Sequence, residues 1–300
     1  MGIGGEHTDA IGAVMVSQKP AGYASKQAFV VTGATDKVLK KWPMPVHAFP
    51  GVVAAASSGK KGPVPLKSSH SVRAHEKDIN CIAVPPNDSI IASASHDKTI
   101  RIWRASDLFA LATLRGHKRG VWCIRFSPVD RELLSCSGDR TIKTWSLVDF
   151  SCTRSFEGHG ASVLSVGYIR EGQQIISTST DGIVKLWTIR TGECEATMDE
   201  HEDRIWALAT GDGRGDAFFT GGSDSALQLW VDTTERVEAE QLKERERVLL
   251  MEQQMQNDIR DKKYDKVRTL PTPHPLTSCM HTYSLLESSR GSCGFCVMLK

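Results

Sequence analysis

The chain has 300 residues, of which 40% are hydrophobic and 24% charged, with a formal net charge of +2. A balance so close to neutrality excludes a global pull toward nucleic acid or acidic lipid, so any such binding has to be local. Enough apolar side chain is present for a sizeable core, and no run of 18 apolar residues offers a membrane span.

The N-terminus has no basic segment followed by an apolar stretch, so no secretory signal is expected. Gly2 is followed by Glu6 where a myristoylation motif takes Ser or Thr. Without secretion the eight cysteines are expected as reduced thiols.

Residues 7–42 form the first of five similar units, marked by His7, Thr32, Asp36 and Trp42. Its His-to-Asp distance is longer than in the others, and Gln18 to Gln27 supply the extra loop. Residues 43–70 then break the rhythm with Pro43, Pro45, Pro50, Pro63 and Pro65 among Gly, Ser and Lys, which reads as a long surface loop. From there His75, His117, His159 and His201 recur every 42 residues. Each is followed by an Asp (Asp97, Asp139, Asp181, Asp224) and then, six residues on, by a Trp (Trp103, Trp145, Trp187, Trp230). Four residues before each Asp stands a hydroxyl: Ser93, Ser135, Ser177 and Thr220. The repeats therefore run at about 7–42, 75–103, 117–145, 159–187 and 201–230.

Within a repeat, the residue four after the His is β-branched (Ile11, Ile79, Val121, Val163, Ile205) and is expected to open the innermost strand. A second strand ends near the Asp, a third carries the Trp, and an outer strand such as 110–114 precedes the next His. Cys81 and Cys123 stand six residues after their His, where Ser165 and Ala207 stand later, so that slot is read as one for a small packing residue.

This ordered set of His, Ser/Thr, Asp and Trp resembles the WD-repeat family, whose fold is a β-propeller with one blade per repeat. The resemblance implies an all-β propeller over 1–232, while composition predicts an α-helical segment over 233–268 and a disordered tail over 269–300. Five blades are visible where such rings usually have about seven, so the ring is expected to be incomplete. The family's connectivity gives each outer strand to the preceding blade, which leaves the fifth blade without one. In the helical segment Val248, Met251, Met255 and Ile259 fall at three- and four-residue steps on one face. The tail has Pro271, Pro273 and Pro275 and then no periodicity.

Ser, His and Asp are also the residue types of a hydrolytic triad, but five copies spread around a ring cannot share one substrate. The resemblance implies instead a buried relay, Asp to His to hydroxyl to Trp, that satisfies polar groups inside each blade. No catalytic residue, cofactor, metal or small-molecule substrate is expected. The Gly211–Gly213–Gly215 run departs from a dinucleotide fingerprint and lies between two strands. Cys293 and Cys296 make a single CxxC without the second pair a zinc site needs.

What remains is surface. The position five after the His holds Gly12, Asn80, Trp122, Leu164 and Trp206. Lys118 and Arg119 precede Trp122, and Arg204 precedes Trp206. Aromatic side chains beside Arg are the composition of an interface hot spot, and equally of a base-stacking platform. Lys118, Arg119, Trp122, Arg204 and Trp206 are the candidate partner-binding residues.

Whole phrases narrow the resemblance: AHEKDIN at 74–80, AVPPND at 83–88, RGVWCIRFSP at 119–128, SCTRSFEGHGASVL at 151–164 and DGIVKLWTI at 181–189. They look like part of the second propeller of the transducin-beta-like-three type of WD protein. That type is a U3 small nucleolar RNA-associated subunit of the UtpB complex in the small-subunit processome. The resemblance implies a non-catalytic scaffold in ribosomal RNA processing, located in the nucleus and nucleolus. Its expected partners are UtpB and other processome proteins, with box C/D small nucleolar RNA or precursor ribosomal RNA as candidate RNA partners and no membrane. The alternative is a general WD adaptor, such as a ubiquitin-ligase substrate receptor that grips a peptide with Trp122 and Trp206.

Overall fold

In the computed structural model, the β-branched residue of each repeat opens a strand where the sequence places it. The structure describes residues 7–18, 28–44, 67–210, 217–232, 234–260 and 295–299. Most of the Pro-rich segment, the Gly211–Gly215 run, Cys293 and most of the tail lie outside them.

Five four-stranded antiparallel sheets follow one another, one per repeat. The first is β1 (Ile11–Val16), β2 (Phe29–Ala34), β3 (Val38–Pro43) and β4 (His70–Arg73). The second is β5 (Ile79–Ala83), β6 (Ile90–Ser95), β7 (Thr99–Arg104) and β8 (Ala110–Arg115). The third is β9 (Val121–Phe126), β10 (Glu132–Ser137), β11 (Ile142–Ser146) and β12 (Cys152–Phe156). The fourth is β13 (Val163–Ile169), β14 (Gln174–Ser179), β15 (Ile183–Thr188) and β16 (Cys194–Asp199). The fifth is β17 (Ile205–Thr210), β18 (Ala217–Gly222), β19 (Leu227–Asp232) and β20 (Phe295–Leu299).

The outer strands of the first four blades do precede the next repeat's His. The fifth differs from expectation. Its outer edge is taken by β20, five residues of the segment that was expected to lack regular structure. Phe, Val and Leu are strand formers, and an outer edge with unpaired backbone groups gives them a partner.

Alternation along the strands builds the core between blades rather than within them. Phe29, Val31 and Leu39 of the first blade meet Ile79, Ile82 and Ile91 of the second. Ala92, Ile100 and Ile102 of the second meet Val121, Ile124 and Leu133 of the third, and Leu134 and Ile142 of the third meet Val163, Val166 and Ile175 of the fourth. The inner strands β1, β5, β9, β13 and β17 all contribute to the lining of a central cavity of about 650 Å³.

A separate unit contains the helix α1 (Thr234–Arg260). Val248, Met251 and Met255 are exposed on it, as are Leu242, Leu249 and Leu250. Among the described residues no helix is long and apolar enough to cross a membrane.

Candidate functional site

The first three repeats each close a chain of hydrogen bonds across their own sheet, and the last two carry parts of it. In the second blade the Trp103 indole donates to Ser93 Oγ at 2.8 Å, Ser93 Oγ lies 2.7 Å from His75 Nε2, and His75 Nδ1 lies 3.0 Å from Asp97 Oδ2. The indole can only donate, so the Ser oxygen accepts from it and the Ser hydroxyl donates to Nε2. The proton of the imidazole then sits on Nδ1 and is donated to the Asp. The third blade repeats this through Trp145, Ser135, His117 and Asp139, at 2.8, 2.8 and 3.0 Å. The first does so through Trp42, Thr32, His7 and Asp36, at 2.7, 2.7 and 2.8 Å. In the fifth, His201 lies 2.8 Å from Thr220 Oγ1 and 2.7 Å from Asp224 Oδ2.

The fourth blade corrects the expected pattern. Trp187 and Ser177 bond at 2.8 Å, and Ser177 and His159 at 2.7 Å, but His159 Nδ1 has no partner among the described residues. Asp181 has turned to the Ser179 hydroxyl instead. Two flanking positions explain this. In the second and third blades a Thr two residues after the Asp (Thr99, Thr141) donates to its Oδ1 at 2.6 and 2.7 Å. The Ser two residues before it (Ser95, Ser137) is engaged by backbone carbonyls. The first and fifth blades have Ala34 and Gly222 at the earlier position, so no hydroxyl competes there. Only the fourth combines Ser179 before the Asp with Ile183, which has no hydroxyl, after it.

These environments shift the pKa values of the groups in them. Burial alone pushes Asp97 upward, but hydrogen bonds from Thr99 and the Glu76 amide, with His75 nearby, outweigh it and bring its carboxyl to about 2. Burial lowers His159 to about 4, with the charge of Lys185 acting the same way and Asp181 opposing. The central hydroxyls Thr32, Ser93, Ser135, Ser177 and Thr220 are buried, whereas the Asp at the turn is half-buried in four blades and exposed at Asp181.

The surface position is different in kind. The register of each inner strand slips by one residue, between Ile11 and Ala13, Ile79 and Cys81, Val163 and Ser165, and Ile205 and Ala207. In β9 the matching slip leaves out Trp122. The residue left out is always the one five after the His: Gly12, Asn80, Trp122, Leu164 or Trp206. A β-bulge releases a side chain from the pleat and re-aims it, so the fold itself presents this position. Sequence periodicity located these residues without revealing the bulge.

The five candidate residues are not equivalent. Trp206 is 53% exposed, with its indole held by a 2.8 Å bond to Ser223 Oγ. Arg204 beside it is exposed, and its backbone is fixed by Asp203 and Ser223. Trp122 is half-buried, edge-on to the His96 ring at 5.9 Å. His96 also sits over Gly120, where an added Cβ would come within 2.7 Å of its Nδ1. Leu164, in the blade between, is buried. Trp206 is thus an open aromatic, whereas Trp122 is partly spent on packing.

Lys118 and Arg119 are exposed, and Lys118 opens onto a groove that the sequence did not signal. This groove, about 490 Å³, is lined by Lys118, Arg140 and Lys143 together with Asp139, Glu157 and His159. Arg140 belongs there because the residue after each Asp takes a left-handed conformation: Lys37, Lys98, Arg140, Gly182 and Ser225 all have φ between 62° and 82°. Three of the five residues there are basic, and of these Lys98 and Arg140 are exposed.

Comparison with known proteins agrees with this geometry. The family described as WD domain, G-beta repeat matches residues 66–104, 109–146, 150–188 and 192–231. The chain is 41% identical over 100 residues to mouse transducin beta-like protein 3, covering 33% of this chain and 11% of that protein. It is 39% identical over 86 residues to U3 small nucleolar RNA-associated protein 13 of Saccharomyces cerevisiae, covering 29% and 9%. Protein HIRA of Xenopus laevis is 28% identical over 83 residues, covering 28% and 8%. Each match spans about a tenth of the curated relative's length. The blade at residues 7–43 falls outside the matched repeats, yet it carries the same bonds between His7, Thr32, Asp36 and Trp42. With matched repeats over just over half its length and five blades carrying versions of one hydrogen-bond network, the chain belongs to the WD-repeat family.

Proposed function

We propose that the protein is a non-catalytic scaffold in small-subunit ribosomal RNA processing, acting in the nucleolus as part of the small-subunit processome. The observation that carries this is the identity, near 40%, to transducin beta-like protein 3 and to a protein named for its association with U3 small nucleolar RNA. The geometry is consistent with such a role in two respects. In the first three blades the polar network is closed within the sheet, so these sheets offer surface rather than chemistry. That surface combines an open indole at Trp206 and Arg204 with the cationic groove of Lys118, Arg140 and Lys143. On this reading Trp206, Arg204, Trp122, Lys118 and Arg119 contact UtpB and other processome proteins or the RNA they hold.

Gradient sedimentation of the tagged chain from nuclear extract tests the reading. A scaffold co-migrates with large pre-ribosomal particles and releases progressively as salt is raised, because phosphate contacts are screened. The double change Arg204→Ala with Trp206→Ala is expected to weaken that association about 30-fold or more, the scale of a hot-spot loss. A chain that stays at the top of the gradient and enriches one short peptide motif would instead support the adaptor reading.

A further inference from the structure

The two bulged tryptophans stand in opposite charge. Trp122 and Trp206 occupy the same repeat position, five after the His. One and two residues after the His, the third blade has Lys118 and Arg119, whereas the fifth has Glu202 and Asp203. All four are exposed. One and four residues after the Asp, the third blade has Arg140 and Lys143, whereas the fifth has the uncharged Ser225 and Gln228. Arg204 is the one cation beside Trp206 among these acids. Two indoles in such different fields do not suit the same partner.

The third-blade surface forms one patch with the turn of the second. A Cβ on Gly138 would lie 3.4 Å from the Trp122 Nε1 and 3.6 Å from Arg119 Cβ, and Arg140 follows two residues on in the same turn. Across the blade boundary the exposed His96 ring meets Trp122 edge-on at 5.9 Å, and the exposed Lys98 stands two residues beyond His96. Lys118, Arg140 and Lys143 share the groove of about 490 Å³. Of its two acids, Asp139 is engaged by His117, Thr141 and the Lys118 amide, which leaves Glu157 against three cations. Among the described residues, Lys98, Lys118, Arg119 and Arg140 make no side-chain hydrogen bond or ion pair. The Trp122 indole N–H likewise has no acceptor there, whereas that of Trp206 is held by Ser223.

We infer that this patch binds single-stranded RNA, with Lys98, Lys118, Arg119 and Arg140 on phosphates and Trp122 with His96 against a base. Aromatic rings interleaved with cations are what a single-stranded nucleic acid uses, because bases stack on the rings while phosphates meet the charges. An acidic peptide would use the cations but has no bases for the indole and imidazole. The inference deepens the processome reading and rests on it for the choice of RNA. It leaves Trp206, in its acidic surround, to a protein partner.

The test is fluorescence anisotropy of the full chain with a fluorescein-labelled oligouridylate of about twelve nucleotides, within the span of such sites. Saturable binding that weakens as salt rises is expected. Lys118→Ala with Arg140→Ala is expected to weaken it about tenfold and to flatten the log–log salt slope by roughly 0.7 per lost phosphate contact. Trp122→Leu is expected to weaken binding about tenfold and leave that slope unchanged, as loss of a stacked base does. Arg204→Ala with Trp206→Ala is expected to bind as tightly as the unaltered chain. Equal binding by the unaltered chain and the Lys118, Arg140 variant overturns the inference. Release of the RNA by an equal concentration of a glutamate-rich peptide also overturns it, and makes the patch an acidic-peptide site. Lys118 and Arg140 are exposed, so their variant decides even if Trp122→Leu fails to fold. Sedimentation from extract judges the processome reading separately. Oligouridylate binding without co-migration refutes that reading and leaves the patch standing, whereas co-migration without oligouridylate binding refutes this inference alone.

Discussion

A single hydroxyl at the centre of each of the first four blades holds two larger side chains at once. Ser135 is fully buried and bonds both Trp145 and His117. Removing it strands an indole N–H and an imidazole nitrogen, each at a cost of about 1–3 kcal/mol. Ser135→Ala should therefore lower stability in urea by about 2–4 kcal/mol, whereas a change at the exposed Ser89 should stay within about 0.5 kcal/mol. The residues of these networks stood out in the sequence because each occupies fixed offsets, and their bonding was what the WD-repeat resemblance implied. The broken arm in the fourth was not, because it depends on which of two flanking hydroxyls competes for Asp181. Ile183→Thr supplies the missing donor, and is expected to return Asp181 to His159 with a gain of about 1 kcal/mol. A rise in the His159 pKa from about 4, followed by NMR, checks it.

The same histidine sets a pH dependence. Its folded pKa of about 4 lies below the unfolded value near 6.5, so between these limits the unfolded chain binds the extra proton. Stability is therefore complete above about pH 6.5 and is lost as pH falls toward 4. The loss from this one buried group is on the order of 3 kcal/mol. Asp97 adds a second loss at lower pH, since its depressed carboxyl stabilises above about pH 4 and ceases to do so as pH falls toward 2. Urea melts at pH 7.5 and 5 should show His159→Asn with a shallower pH dependence than the unaltered chain. Equal slopes would contradict the assignment.

At the scale of elements, strand identity followed from β-branched residues and strict repeat spacing, and the residue that opens each inner strand stood where it was placed. Turns and bulges were less legible, since backbone conformation after the Asp is not written in a residue type. Four of the five left-handed positions there carry Lys, Arg or Ser rather than Gly. Gly182 is the exception, with φ of 82° and a position where a Cβ would come within 2.4 Å of the His201 carbonyl oxygen. Gly182→Ala is expected to destabilise the chain by about 2 kcal/mol or more, through both strain and collision. Arg140→Gly, which relieves a left-handed residue at the cost of chain entropy, should change stability by less than about 1 kcal/mol. Paired urea melts would separate the two. The strand β20 escaped the sequence reading because nothing around it carries the His, Asp and Trp punctuation that marked the others.

Across the propeller unit, the first and fifth blades differ from the three between them. Ile79, Val121 and Val163 are at most 1% exposed, while the equivalent Ile11 is 51% exposed and Val14 beside it 60%. Phe219 and Leu227 in the fifth blade are 44% and 66% exposed. Apolar sheet faces without a neighbour favour association. Val14→Lys combined with Leu227→Lys should reduce self-association in light scattering and change stability little. Unchanged association would show that these faces are not adhesive.

The central claim, a ribosomal RNA processing scaffold that engages partners through the bulged surface position, is tested most directly by one comparison. The tagged chain and its Arg204→Ala, Trp206→Ala double variant are affinity-purified from cells, and co-purifying proteins and RNA are identified by mass spectrometry and sequencing. The account predicts UtpB subunits and precursor ribosomal RNA with the unaltered chain and their depletion with the variant. Recovery of a ubiquitin-ligase subunit set, or equal recovery of processome components by both chains, would contradict it.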